Sequence, residues 1–191
     1  MAAATIADRS AAVLVVIDLQ ERLAAAMQHR AAVLDAAEKL IRIAALCGVP
    51  VLATRQYPNG LGDIEPVLRG ALALAAADTD VAVADKLAFD CFAEPSFSAA
   101  FAREGRQQLL ITGMETHICV AQTALTALRA GHDVHVIADA CCSRDSDTHE
   151  IALSRLRTAG AVVTTTESVL YELIGVAGTE EFRALLKMVK E

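Results

Sequence analysis

The 191-residue sequence predicts an α/β protein, a three-layer α/β/α sandwich on a six-stranded, mostly parallel sheet. Three observations carry this. Short runs rich in Val, Ile and Leu alternate with longer segments whose apolar residues recur at the helical period. The runs are continuously apolar, as in "AVLVVI" (12–17), which suits strands covered on both faces. No linker, low-complexity tract or internal repeat breaks the alternation, so residues 1–191 read as a single domain.

Ala12 to Ile17 is the first strand. His29 to Cys47 has the helical period, with Val33, Ala36, Ala37, Leu40, Ile43, Ala44 and Cys47 on one stripe and Gly48 as its stop. Val49 to Thr54 is the second strand. Gln56 to roughly Ala77, with Pro58, Gly60, Gly62 and Pro66, reads as a long loop, either a substrate-side lid or a plain surface excursion. Asp80 to Ala84 is the third strand, and Phe97 to Arg103 a short helix ended by Gly105. Gln108 to Ile111 is the fourth strand, followed by a helix over Thr116 to Ala130 that Gly131 closes. Asp133 to Ala138 is the fifth strand. Asp147 to Ala159 is helical, with Asp147 and Glu150 spaced as a capping box. Ala161 to Thr164 is the sixth strand, and helices follow near Ser168–Leu173 and Thr179–Val189.

Composition narrows the function classes. A net charge of −7 argues against nucleic acid, whose phosphates attract a basic face. No apolar run reaches membrane-spanning length, and the residues before the first strand do not read as an export signal. Cys47, Cys91, Cys141 and Cys142 show neither CxxC spacing nor a disulfide framework. Reduced thiols in a cytoplasmic protein are the expectation.

In an open parallel sheet, ligands bind beyond the carboxyl ends of the strands. Three reactive side chains fall there: Asp18 in "VVIDLQ", Lys86 in "VAVADKLAF" and Cys119 in "ITGMETHICVAQTAL". Each has an ordinary alternative. Asp18 can cap a helix, Lys86 can be a solvated partner of Asp85, and Cys119 can be a small buried apolar residue. Together on one edge they make a chemical set. A helix N-terminus and a lysine would each lower the thiol pKa. A carboxylate can take the thiol proton and later deliver it to a leaving amine. First-turn N–H groups can hold an oxyanion. No GxGxxG follows any strand, which counts against a nucleotide-binding module.

At these residues the sequence resembles the isochorismatase-like cysteine hydrolase superfamily. The likeness runs from "VLVVIDLQ" to "TTTESVLYELIG" and rests on "DLQ" (18–20), "DK" (85–86) and "GMETHICVAQTA" around Cys119. The resemblance implies a six-stranded Rossmann-like sheet and an Asp18–Lys86–Cys119 triad. It implies a non-proline cis peptide at Met114–Glu115, with backbone N–H groups of Glu115 and Cys119 facing the oxyanion. The implied reaction is hydrolysis of a small amide, urea or carbamoyl C–N bond through a thioacyl-enzyme, without a cofactor. A homo-oligomer is implied as well. Two departures narrow the branch. Nicotinamidases carry a histidine-rich metal site after the second strand, whereas "TRQYPNGLG" has no histidine, so no metal is expected. Isochorismatases proper lack the cysteine that is present here. The tail is similar to the short isochorismatase-domain branch. Candidate substrate-binding residues are Gln20, Gln56, Tyr57, Phe89, Thr116 and His117. His117 is expected to line the pocket or an oligomer contact rather than pair with Cys119, since successive helical residues do not face each other. Asp139 is expected to be structural. The rival reading is a non-catalytic scaffold acting through protein contacts or small-ligand binding.

Overall fold

The structure, a computed structural model, describes residues 6–190; positions 1–5 and 191 of the expected domain lie outside the described residues. In chain order the elements are β1 (Ala12–Ile17), α1 (Glu21–Ala24), α2 (Arg30–Leu46), β2 (Val51–Gln56), α3 (Pro58–Leu61), α4 (Pro66–Ala75) and β3 (Val81–Lys86). A 3-10 turn (Cys91–Ala93), α5 (Pro95–Glu104), β4 (Gln108–Met114), a π-type turn (Thr116–Val120) and α6 (Ala121–Arg129) follow. Then come β5 (Asp133–Cys142), α7 (Ser146–Thr158), β6 (Val162–Thr164), α8 (Thr166–Ile174) and α9 (Glu180–Lys190). The strands form one six-stranded sheet in the order β3-β2-β1-β4-β5-β6, and every neighbouring pair is parallel.

The continuous apolar character of β1 now has its cause. Leu14 and Val16 point into a core beneath α2, α4, α8 and α9, while Val13, Val15 and Ile17 point into a second core beneath α5, α6 and α7. All six β1 residues are buried. Two-sided cover demands apolar residues at both phases of the strand. No helix among the described residues is long and apolar enough to cross a membrane.

Five expectations need correction. The stretch from Gln56 to Ala77 is not a loop but holds α3 and α4. Pro66 sits in the first turn of α4, where its missing N–H costs nothing, and Leu68, Ala71, Leu72 and Ala75 bury one face at helical spacing. β2 and β3 run two residues further than expected, ending on the pair Gln56 and Lys86. β4 and β5 are longer, because Gly113 and Met114 pair with Cys141 and Cys142 past a register shift. The cap of α7 is Asp145, whose carboxylate accepts from the Thr148 N–H at 2.8 Å, not Asp147. The helix expected from Thr116 opens with the wide π-type turn before α6 begins.

Candidate active site

β1 and β4 are sequence-distant neighbours, so the strand order reverses between them. That reversal opens a crevice at their carboxyl ends. Asp18 is the first residue beyond β1 and is fully buried, with a left-handed φ of 53° that is uncommon outside glycine. Gly113 lies opposite Ile17 in the neighbouring strand. Its φ is 144°, and a Cβ there would collide with the Ile17 carbonyl oxygen. Glycine therefore lets the β4 backbone close against β1 just before the site.

Lys86 ends the edge strand β3, two strands from Asp18. Its side chain reaches over β2, and its Nζ donates to Asp18 Oδ2 at 2.7 Å and to Gln56 Oε1 at 2.6 Å. Longer contacts run to the carbonyls of Ala88 and Phe89. Both side chains of the Asp18–Lys86 pair are wholly inaccessible. Burial alone would push the lysine pKa down; Asp18, Cys91 and Cys119 more than offset it, so the ammonium is held above its ordinary value.

Cys119 lies in the π-type turn and is buried, close enough to Asp18 and Lys86 for both charges to act on its thiol. Its electrostatics reverse the expectation of a lowered pKa. Burial raises the thiol, the Asp18 charge raises it further, and Lys86 opposes without prevailing.

The neighbouring candidates divide into two sets. Gln20 is fully buried and its amide is saturated: Nε2 donates to the Gln56 and Gly62 carbonyls, and Oε1 accepts from the Gln56 N–H. Gln56 donates to the Leu87 carbonyl and accepts from Lys86. Gln56 holds the lysine directly, and Gln20 holds the Gln56 backbone. Thr116 is also buried, with its hydroxyl on His149 Nδ1 at 2.8 Å. The Nδ1 of His117 meets Ser143 Oγ at 2.9 Å. The bond at Met114–Glu115 is cis, and the Glu115 carboxylate accepts from the backbone N and the Nε of Arg144. These three contacts fasten the π-type turn to the end of β5 and the start of α7. Only Tyr57 and Phe89 are open at the rim, 53% and 52% exposed. Asp139 accepts from the N–H and hydroxyl of Thr166 and supports the start of α8, a structural use as expected.

Two residues at the site were missed in the sequence. Thr54, on β2, donates to Asp18 Oδ1 at 2.7 Å. Cys91 is wholly buried beside Lys86 and Asp18; burial pushes its thiol up to about 12, and its backbone N–H donates to Thr123 Oγ1. The only signal for Thr54 was a hydroxyl residue at the end of the apolar run that forms β2.

Comparison with known proteins follows the same lines. Residues 12–168 match the isochorismatase domain. The chain belongs to the isochorismatase domain family. Among isochorismatase domain proteins, the domain-containing protein 2A of Mus musculus is 35% identical over 94% of this chain and 82% of its own length. The solved structure of MAR1 ribonuclease from Caenorhabditis elegans is 28% identical, with a TM-score of 0.87 over 97% of this chain and 93% of that one. YcaC from Pseudomonas aeruginosa, solved with hexane-2,5-diol and covalent acrylamide, is 26% identical, with a TM-score of 0.82 over 96% and 91%.

Proposed function

We propose that this isochorismatase domain protein is a cysteine hydrolase of small amide, urea or carbamoyl C–N bonds, with Asp18, Lys86 and Cys119 as its catalytic residues. The observation that carries the reading is the wholly buried Asp18–Lys86 ion pair at the sheet's reversal point, with the buried Cys119 thiol within reach of both charges. As the Cys119 sulfur bonds to the substrate carbonyl carbon, the thiol proton passes to Asp18. Backbone N–H groups of Glu115 and Cys119 take the negative oxygen. The C–N bond then breaks, and the nitrogen leaves with the proton from Asp18. Water attacks the thioester, giving its proton to Asp18; the C–S bond breaks and the thiol recovers that proton. Lys86 remains an ammonium throughout and exchanges no proton. Tyr57 and Phe89 form the substrate wall.

The acidic balance of the chain, −7, supports a small-molecule substrate over RNA, so the ribonuclease name of the nematode relative is not carried over. Five unpaired cysteines fit a reducing compartment, and we assign the cytoplasm. We also read the chain as one hydrolase domain working as a homo-oligomer. The apolar rim of Tyr57, Phe89 and Leu87, the last 73% exposed, supports association there.

The test is ammonia release from a panel of small amides, ureas and carbamoyl compounds. Turnover by the wild type and its loss by several orders of magnitude in a folded Cys119→Ala variant is the expected result. A variant with near-wild-type turnover would remove Cys119 from the mechanism. One observation favours the second reading, a non-catalytic scaffold: the Cys119 thiol is buried, and its burial and the Asp18 charge hold it above its ordinary pKa. Silence across the whole panel, with a ligand still bound, would favour it.

A further inference from the structure

We propose that Thr54 is a positioning residue, which holds the Asp18 carboxylate in the orientation that lets it serve the Cys119 thiol. This rests on the reading of Asp18 as the partner of Cys119. The two carboxylate oxygens are pinned from opposite sides. Lys86 holds Oδ2 and the Thr54 hydroxyl holds Oδ1, each at 2.7 Å, and all three side chains are buried. Thr54 has a single proton to give. A carboxylate is a stronger acceptor than a thiol, so that proton lies toward Asp18. Asp18 lies just beyond the strand at a left-handed φ, so no further pairing of its own strand fixes its side chain. Its orientation comes from the neighbours' donors.

The consequence for the thiol has a definite sign. Thr54 donates to Asp18, and the Asp18 carboxylate in turn raises the Cys119 thiol. Without the hydroxyl, the carboxylate turns its full acceptor strength on the thiol, and the thiol holds its proton more tightly. A merely structural role predicts the reverse, since a loosened core admits water and relieves the burial that raises the thiol.

The experiment is iodoacetamide labelling of Cys119 across pH, which needs no substrate. In Thr54→Val, which keeps the branched shape that suits a strand, the labelling profile should move up by about 1 pH unit. Thr54→Ala, a second variant without the hydroxyl, should move it the same way, and Thr54→Ser should sit with the wild type. In an Asp18→Asn background, Thr54→Val should add nothing. A profile that stays still or moves down in both Thr54→Val and Thr54→Ala would overturn the positioning role and leave the Asp18–Cys119 reading intact. If Asp18→Asn alone leaves labelling unchanged, Asp18 does not govern the thiol, and both that reading and this inference fall.

Discussion

Cys119 sits between opposing influences: Asp18 and burial hold its proton on, and Lys86 draws it off. The balance separates two properties usually treated as one, ease of ionisation and catalytic competence. Asp18→Asn removes the negative charge and the acceptor together, so the thiol should ionise more readily. Its labelling by iodoacetamide should begin at lower pH than in the wild type, while hydrolysis is lost for want of a base. Labelling that starts at higher pH in Asp18→Asn would show that the carboxylate activates the thiolate directly. The three ionisable residues could be read from the sequence because each ends or follows an apolar run, and such a residue has few places to go but the strand end. The roles of Gln20, Gln56 and Thr54 could not. Whether an amide or hydroxyl faces substrate or a buried neighbour depends on groups 30 or more residues away, such as the Lys86 ammonium on Gln56.

At the scale of elements, the crevice depends on how closely β4 approaches β1. Gly113→Ala places a methyl group on the Ile17 carbonyl and asks alanine to adopt a φ that L-residues rarely adopt. The expected cost is about 1–3 kcal/mol or more, read as a lowered denaturant midpoint with an unchanged slope. Full stability in that variant would mean the two strands separate freely at this point. The π-type turn was not legible as such, because its sequence also fits an ordinary first helical turn. α4 was legible in principle. Leu68, Ala71, Leu72 and Ala75 have helical spacing, but the turn residues Pro58, Gly60, Gly62 and Pro66 around and before it outweighed that signal. Gly70 sits on the open side of α4, where a Cβ would meet nothing.

Across the molecule, β2 and β3 are clasped to the segment leading into α4 by charge. Arg55 forks onto Asp85 at 2.6 and 3.0 Å and also reaches Asp63, which Arg69 holds at 2.7 Å. Hydrogen bonds from Arg69, then Arg55, then the Ile64 N–H bring the Asp63 carboxyl down to about 2. A lowered folded-state pKa contributes stability that is complete above the unfolded value of about 4 and is lost as pH falls through about 2. The stability gap between wild type and Asp63→Asn should therefore be open at neutral pH and close over that acid window, as followed by denaturant midpoints. A gap independent of pH would trace the effect to packing rather than charge. The α/β class and all six strands were legible at this scale, since two-sided burial writes itself into composition. The order of the strands was not, because apolar runs of similar length do not say which neighbour each will take.

That order also bears on how the protein emerges from the ribosome. β1 is central, yet one of its two partners, β4, is synthesised only after β2 and β3. Until residues 108–114 appear, the nascent sheet presents "AVLVVI" along an open edge, the kind of edge that pairs with other chains. A chain stopped at Gln107 should accordingly pellet on centrifugation or be retained by a chaperone, while the full-length protein stays in the supernatant. Asp18 and Lys86 both lie within that first portion. Their ion pair can form on the half-built sheet, and the thiol that would make it reactive arrives only with the strand that closes the edge.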